Sequence, residues 1–307
     1  MSRLSVRPFV MSVVAAAALV AASAAPAQAQ DDPNPGAMTI SGAVDFTNAY
    51  FFRGIRQDTT KVITWPYFDL GLALYSNDSG GLRSVGVNFG TWNSLHPGDA
   101  GSDGPSGKLW YESDFYATLG LGFGGGVSLG TTWTSYTSPN NMFSTVKEIA
   151  FKVSVDDSGR LGKAAVRPYA LIGFEVAVDG IAQGQADAGG NAGKYLELGV
   201  APGYSGSRAS LAVPIKLGLS AGDYYEICTA RCSSLTPVYD DDTFGYFSIA
   251  GVVTVPFTSK PTKFGTWNVH GGVEFQKYGG TLKELNHSFG LDDDHKVIVS
   301  GGIGFTY

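Results

Sequence analysis

The chain has 307 residues, 42 of them glycine, with 12% aromatic and only 16% charged residues. Lys and Arg number 21 against 27 Asp and Glu, a net charge of -6, and an acidic chain is a poor partner for nucleic acid. Abundant glycine and aromatics with sparse charge suit close-packed strands with apolar outer faces better than a helical enzyme.

The first element is an export signal. Arg3 and Arg7 give a basic start, Phe9 to Ala22 form an Ala/Val-rich apolar stretch, and Ala27-Gln28-Ala29 offers a small-x-small cleavage site. Residues 1–29 therefore read as a signal peptide, and its removal leaves 19 basic and 27 acidic side chains, a net charge of -8. A short tail over 30–37 precedes one domain over 38–307, since no Pro- or Ser-rich linker divides the remainder. The longest apolar run after Gln30, Tyr246 to Phe257, is about 12 residues, against the roughly 18 that a membrane helix needs. A membrane-spanning chain of this kind requires a closed barrel.

Alternation with period two recurs in twelve segments: 38–51, 62–76, 82–93, 109–123, 126–138, 145–155, 165–177, 193–202, 207–221, 243–256, 264–278 and 295–307. In the fourth, Leu109, Tyr111, Phe115, Ala117, Leu119 and Leu121 share one face, and Glu112, Asp114, Tyr116 and Thr118 the other. The ninth sets Leu211, Val213, Ile215, Leu217 and Leu219 outward, with Lys216 and Ser220 inward. The tenth sets Phe247, Ile249, Val253 and Val255 against Tyr246, Ser248 and Thr254, so an arginine at Ser248 should be absorbed by a wet lumen. Connections after odd segments are mostly long and polar. Those after even segments, such as Asn77-Asp78-Ser79-Gly80-Gly81, are short and rich in turn residues. Pro66, Pro168, Pro214 and Pro256 each lie near a segment end, where a missing ladder donor is tolerated. The predicted fold is all-β: an antiparallel transmembrane β-barrel of about twelve strands with both termini in the periplasm.

Two stretches carry a resemblance to known proteins. The last strand puts Ile303, Phe305 and Tyr307 on one face and ends on an aromatic residue, which looks like the terminal assembly signature of bacterial outer-membrane barrels. Residues Ser41 to Gln57 are similar to the opening of a family of uncharacterised proteobacterial outer-membrane proteins. In that family a strand ends in a Tyr-x-Phe-Arg-Gly-x-x-Gln element, matched here by Tyr50, Phe52, Arg53, Gly54 and Gln57. The resemblance covers about a tenth of the mature chain and implies a barrel and an outer-membrane location, with no activity attached.

Inward-facing charges are the first candidate site: Asp45, Asp69, Glu112, Asp114, Glu148, Glu175, Glu197 and Glu274, against Lys152, Arg167, Lys216 and Lys296. An excess of carboxylates along a pore concentrates cations, whereas mutual neutralisation would fill a narrow lumen. Arg53 and Arg56 fall where the first strand should leave the membrane, placed either to constrict a pore or to pair with loop acids and outer-leaflet phosphates. Cys228 and Cys232, the only cysteines, have the spacing of a disulfide across a tight loop in an oxidising compartment. Asp240-Asp241-Asp242 and Asp292-Asp293-Asp294-His295 read as solvated loop charges, since neither matches a calcium-loop spacing. No metal or cofactor is expected.

These readings converge on a passive channel or binding protein for small solutes. The alternatives are a closed barrel acting through its outer loops, especially Ala221 to Asp242, and a barrel-wall lipid hydrolase using His270 beside Glu274. Expected partners are outer-membrane lipid and lipopolysaccharide, the barrel-assembly machinery and small solutes. A soluble periplasmic barrel would instead bury the Leu211 to Leu219 face inside.

Overall fold

The computed structural model describes residues 36–98, 100–101, 103–104, 108–176, 192–206, 208–234, 236–257 and 264–307. The expected signal peptide and most of the expected tail lie outside the described residues. Within them, twelve antiparallel strands form the wall: β1 (Met38–Thr47), β2 (Ile63–Ser76), β3 (Leu82–Leu95), β4 (Trp110–Phe123), β5 (Val127–Thr137), β6 (Val146–Val155), β7 (Tyr169–Glu175), β8 (Lys194–Val200), β9 (Ile215–Gly222), β10 (Phe244–Pro256), β11 (Thr266–Tyr278) and β12 (His295–Thr306). Each pairs with its chain neighbours, and β12 returns to β1 with Val44 opposite Ile303 and Asp45 opposite Gly302, which closes the barrel. Closure leaves no long edge exposed.

The alternation read from the sequence is the alternation of burial. Val44, Phe46, Phe89, Phe115, Leu119, Trp133, Phe151, Ile249, Val253, Val299 and Ile303 are exposed on the outer face. Asp45, Glu112, Asp114, Glu148, Lys216, Ser248 and Glu274, in between, are buried within the barrel. Connections alternate as expected, giving a loop end and an end that carries both chain termini. At the terminus end, Pro214 separates β9 from a short strand, Ser210–Ala212, that pairs with Gly203–Ser205 and with β10. A proline removes the ladder donor there.

The first segment departs from its expected course. β1 stops at Thr47, where Asn48 bonds Val299 through backbone and side chain, and the next residues leave the wall. Tyr50–Phe52 and Ile55–Asp58 form a separate hairpin whose turn holds Arg53 at φ 49° and Gly54 at φ 82°. A Cβ at Gly54 would stand 2.9 Å from Leu282 and 3.0 Å from the Tyr246 ring, so glycine is required by space as well as by φ. The hairpin folds into the lumen, and Tyr50, Phe51, Phe52 and Ile55 are all at most 3% exposed.

Two apolar cores flank it. Tyr50 and Phe52 pack with Ile63, Trp65, Trp92, Tyr111, Tyr116 and Tyr136. Phe51 and Ile55 pack with Tyr195, Tyr224, Tyr225, Tyr246, Tyr278 and Leu282 on the other side. Burying each such side chain contributes about 1.5–3 kcal/mol before ordering costs, so the hairpin is a fixed part of the interior. Tyr111, expected on the outer face with Leu109, belongs to this core. The register shifts between Ser94 and Leu95, opposite Glu112 and Trp110, and this irregularity breaks the alternation locally.

The connection after β11, read from sequence as a loop, contains a helix over Gly280–Ser288. Its first turn is tied reciprocally: Thr281 N–H donates to Asp242 Oδ2 at 3.0 Å, and Asp242 N–H donates to Thr281 Oγ1 at 3.3 Å. Leu282 enters the core, and Asn286 clamps the hairpin by accepting from Arg56 N–H and donating to the Gly54 carbonyl, each at 2.8 Å.

Candidate functional site

The hairpin turn delivers Arg53 to the centre of the loop-end lumen. Its guanidinium donates to both oxygens of Glu148 on β6 at 2.6 and 2.7 Å, a bidentate pair whose side chains are 3% and 1% exposed. Its head stands 4.0 Å from the Tyr195 ring centre on β8 and 5.5 Å from that of Tyr224, and Nη1 also donates to the Tyr224 hydroxyl at 3.1 Å. Tyr225 closes the arrangement by donating to the Arg53 carbonyl at 2.9 Å. Arg53 is thus the inward arginine of the two expected. Arg56 turns away, bonding Thr59 and the carbonyl of Phe289.

Most of the predicted inward charges share this lumen, each held by a partner. Glu175, register partner of Glu148, accepts from Gly193 N–H at 3.0 Å. Glu197 accepts from the hydroxyls of Tyr169, Tyr195 and Tyr246 at 2.7, 2.6 and 3.2 Å. Lys216 lies 3.6 Å from Glu274, which also accepts from Ser248 and Gln276. Glu112 accepts from Tyr50 at 2.8 Å and is hydrogen-bonded to Asp114. Nearer the terminus end, Asp69 accepts from Tyr116 at 2.7 Å, and Asp45 lies 2.7 Å from His270 Nε2. Lys152 rests its ammonium 4.4 Å from the Tyr169 ring.

Three expectations need correction. Arg167 is not on the inner wall: β7 begins at Tyr169, and Arg167 sits before Pro168 at φ 48°, in a turn where its N–H bonds Asp157 and its side chain reaches the Ala201 carbonyl. A left-handed residue cannot continue a strand, so the chain turns at Arg167 and its side chain serves the turn. Ser248 is fully buried, bonded to Glu274 and level with Lys216, so it faces a packed layer rather than free water. His270 has both ring nitrogens engaged, Nε2 with Asp45 and Nδ1 with Asn268 at 3.0 Å, so it is not poised against a nucleophile.

The cysteines pair as expected. Cys228 and Cys232 form a disulfide, with Cα atoms 5.6 Å apart, on the Glu226–Ala230 and Val238–Asp241 hairpin of the longest loop-end connection. Asp241 and Asp242 act as acceptors for Asp223, Tyr225 and Thr281 backbone N–H groups. Lys277 and His295 hydrogen-bond Asp294 and hold its carboxyl at about 2. Ile303 and Tyr307 are exposed on the outer face, and the Phe305 ring stacks on Trp267 at 5.2 Å.

Sequence reading missed a second buried network at the tail of the hairpin. Trp65 Nε1–H donates to Ser94 Oγ at 3.0 Å, Ser94 Oγ lies 2.7 Å from His96 Nε2, and Asp58 Oδ2 lies 3.4 Å from His96 Nδ1. Serine is hydrogen-bonded to histidine and aspartate stands within ion-pair reach of it, yet Ser94 and His96 are 0% exposed, with the Tyr111 ring stacked on the imidazole at 4.1 Å. The cluster pins the hairpin tail to β3. Burial pushes the His96 pKa down to about 4 despite the pull of Asp58. The signal available was Ser94-Leu95-His96, a serine and a histidine two apart on the inward face of a strand end.

No protein-family model and no curated protein sequence matches this chain. Solved structures to which it is similar include an outer-membrane channel from Pseudomonas putida F1, at 11% identity and a TM-score of 0.46, covering 90% of this chain and 97% of that one. Outer membrane phospholipase A from Escherichia coli is similar at 9% identity and a TM-score of 0.41, covering 86% and 92%. The NanC porin is similar at 11% identity and a TM-score of 0.39, covering 88% and 99%.

Proposed function

We propose that this chain is an outer-membrane β-barrel that admits small polar solutes into its lumen, with the Tyr50–Asp58 hairpin as the gate at the loop end. The belt of exposed apolar side chains around a closed wall supports the membrane, because water on that belt would be costly while lipid is not. The loops then face outward and both termini the periplasm. One observation carries the channel reading: the inward polar side chains Asp69, Asn88, Asn268 and His270, toward the terminus end, are partly exposed, whereas Glu112, Glu148 and Ser248, around the hairpin, are buried. A wet vestibule thus leads to a stopper that belongs to no wall strand. The stopper is the same Tyr-x-Phe-Arg-Gly-x-x-Gln element that resembles the uncharacterised outer-membrane family.

Passage needs no chemical step. Inward hydroxyls and paired charges replace part of a solute's hydration, and the surplus of carboxylates favours cations. Planar-bilayer recording of the intact protein and of a variant lacking 50–58 tests this. Small or absent conductance in the first and steady, cation-preferring conductance in the second is the expected result. Silence in both, with folding intact, would move the function to the loop-end surface and its disulfide-bonded hairpin.

A further inference from the structure

We infer that Arg53 occupies a receptor site for cationic solutes bearing a guanidinium group, formed by Glu148, Tyr195 and Tyr224, and that it acts there as a built-in competitor. The inference deepens the channel reading and rests on it, since a free solute must reach the lumen.

Of the groups around the Arg53 head, only the Phe52 ring, 5.0 Å away, belongs to its own hairpin; the carboxylate and both tyrosines come from other elements. Glu148 is supplied by β6, Tyr195 by β8 and Tyr224 by the connection after β9. A planar carboxylate fork and an aromatic face at right reach are the two groups that distinguish guanidinium from ammonium or a metal ion: two parallel N–H donations at 2.6 and 2.7 Å, and a ring centre at 4.0 Å. Only the terminal fork is read. Nε of Arg53 is buried and has no hydrogen-bond partner among the described residues, so the cage does not depend on how the group is attached.

Charge around the site points the same way. With the hairpin displaced, Glu148 would face Glu175, its register partner, with Glu197 on the next strand. Of the nearby wall cations, Lys216 is already matched to Glu274, and Lys152 rests over the Tyr169 ring. A buried carboxylate left without a counter-charge is unfavourable, so an open gate creates demand for a cation in this seat. The chain tether presents Arg53 at an effective concentration on the order of millimolar, which sets the range in which a free solute competes.

Chemical rescue tests the site. Arg53→Ala in the full barrel, or Arg53→Met if the alanine variant does not fold, is titrated with methylguanidinium from about 0.1 to 20 mM, with sodium chloride at matched ionic strength as control. The expected result is a thermal unfolding midpoint that rises with methylguanidinium from the millimolar range upward, at least tenfold weaker when Glu148→Gln is added, and smaller at every concentration in the unmodified protein, where Arg53 competes. A response no larger than that to sodium chloride, or one unchanged by Glu148→Gln, overturns the proposal. Binding is read separately from conductance. A barrel that takes methylguanidinium but stays silent even when residues 50–58 are removed would therefore overturn the channel and leave the site standing.

Discussion

The two halves of one lumen, built by the same twelve strands, have different interiors. Toward the loops the space is filled: two aromatic cores meet across the hairpin, and Glu148, Glu112 and Ser248 are sealed from water. Toward the termini, inward positions hold glycines, Asn268 and a partly exposed His270 that leans on Asp45. Strand number sets the width of both halves, but what fills that width is decided by one connection of about fifteen residues folding inward. The wall pattern fixes closure, and the inward-folding loop fixes how the lumen is filled. These are separate physical problems solved by separate parts of the chain.

Breaking the charge pair at the centre of the filled half should have the largest effect. Glu148→Gln leaves the Arg53 guanidinium buried without its counter-ion, and such losses run to about 3–5 kcal/mol. The expected outcome is a lower unfolding midpoint together with new protease cleavage within residues 50–58. A loss under about 1 kcal/mol would mean that the pair is effectively solvated and the two halves are alike.

The distinction between wall faces can be sharpened at one neighbouring pair. Val253 is 46% exposed on the outer face, and Thr254 beside it points into the wet half. Val253→Arg should cost roughly 2–4 kcal/mol at the membrane midplane, and Thr254→Arg should lie within about 1 kcal/mol of the parent, as read by urea unfolding in lipid. Equal costs would invert the assignment of faces at that height.

Acid should loosen the filled half selectively. His96 is neutral and buried, with a folded pKa of about 4 against an ordinary value near 6.5, so the unfolded chain binds its proton first as pH falls. Stability contributed by neutral His96 is complete above about pH 6.5 and is lost progressively down to about pH 4, at most roughly 3 kcal/mol. His96→Asn should flatten that slope in a series of denaturant midpoints. A slope that survives the substitution would assign the acid sensitivity elsewhere.

Most of the wall was legible in the sequence, because a one-residue slip would turn every side chain to the wrong face. The hairpin was not. Phe46-Thr47-Asn48-Ala49-Tyr50-Phe51 continues the apolar and aromatic character of a strand, so β1 read as four residues too long. The local signal was Arg53-Gly54: two successive left-handed residues make a tight turn where strand 1 was expected to run out as a loop. The inward carboxylates were identified by alternation alone. Of the aromatic groups around them, Tyr246 was placed on the inner face, but Tyr195 and Tyr224 were not, because tyrosine reads equally well as an interfacial or a lumen residue. Arg167 went wrong because the strand begins only at Tyr169: Arg167 adopts a left-handed φ of 48° in the preceding turn, which alternation does not reveal.

The smallest predicted effect belongs to the disulfide-bonded hairpin of the longest loop-end connection. The Cys228–Cys232 disulfide closes a loop of five residues, and a chain-entropy estimate gives about 2 kcal/mol for such a loop. That stabilisation is confined to the hairpin Glu226–Ala230 and Val238–Asp241, which pairs with itself and with no wall strand. Tyr224 and Tyr225, just before it, are also anchored outside the hairpin, by Ser220 and by Thr281. Reduction should therefore raise hydrogen exchange between residues 226 and 241 while leaving the barrel's unfolding midpoint within experimental error. A matching drop in the barrel midpoint would show that the loop hairpin helps hold the tyrosines over Arg53, and would make the disulfide part of the gate.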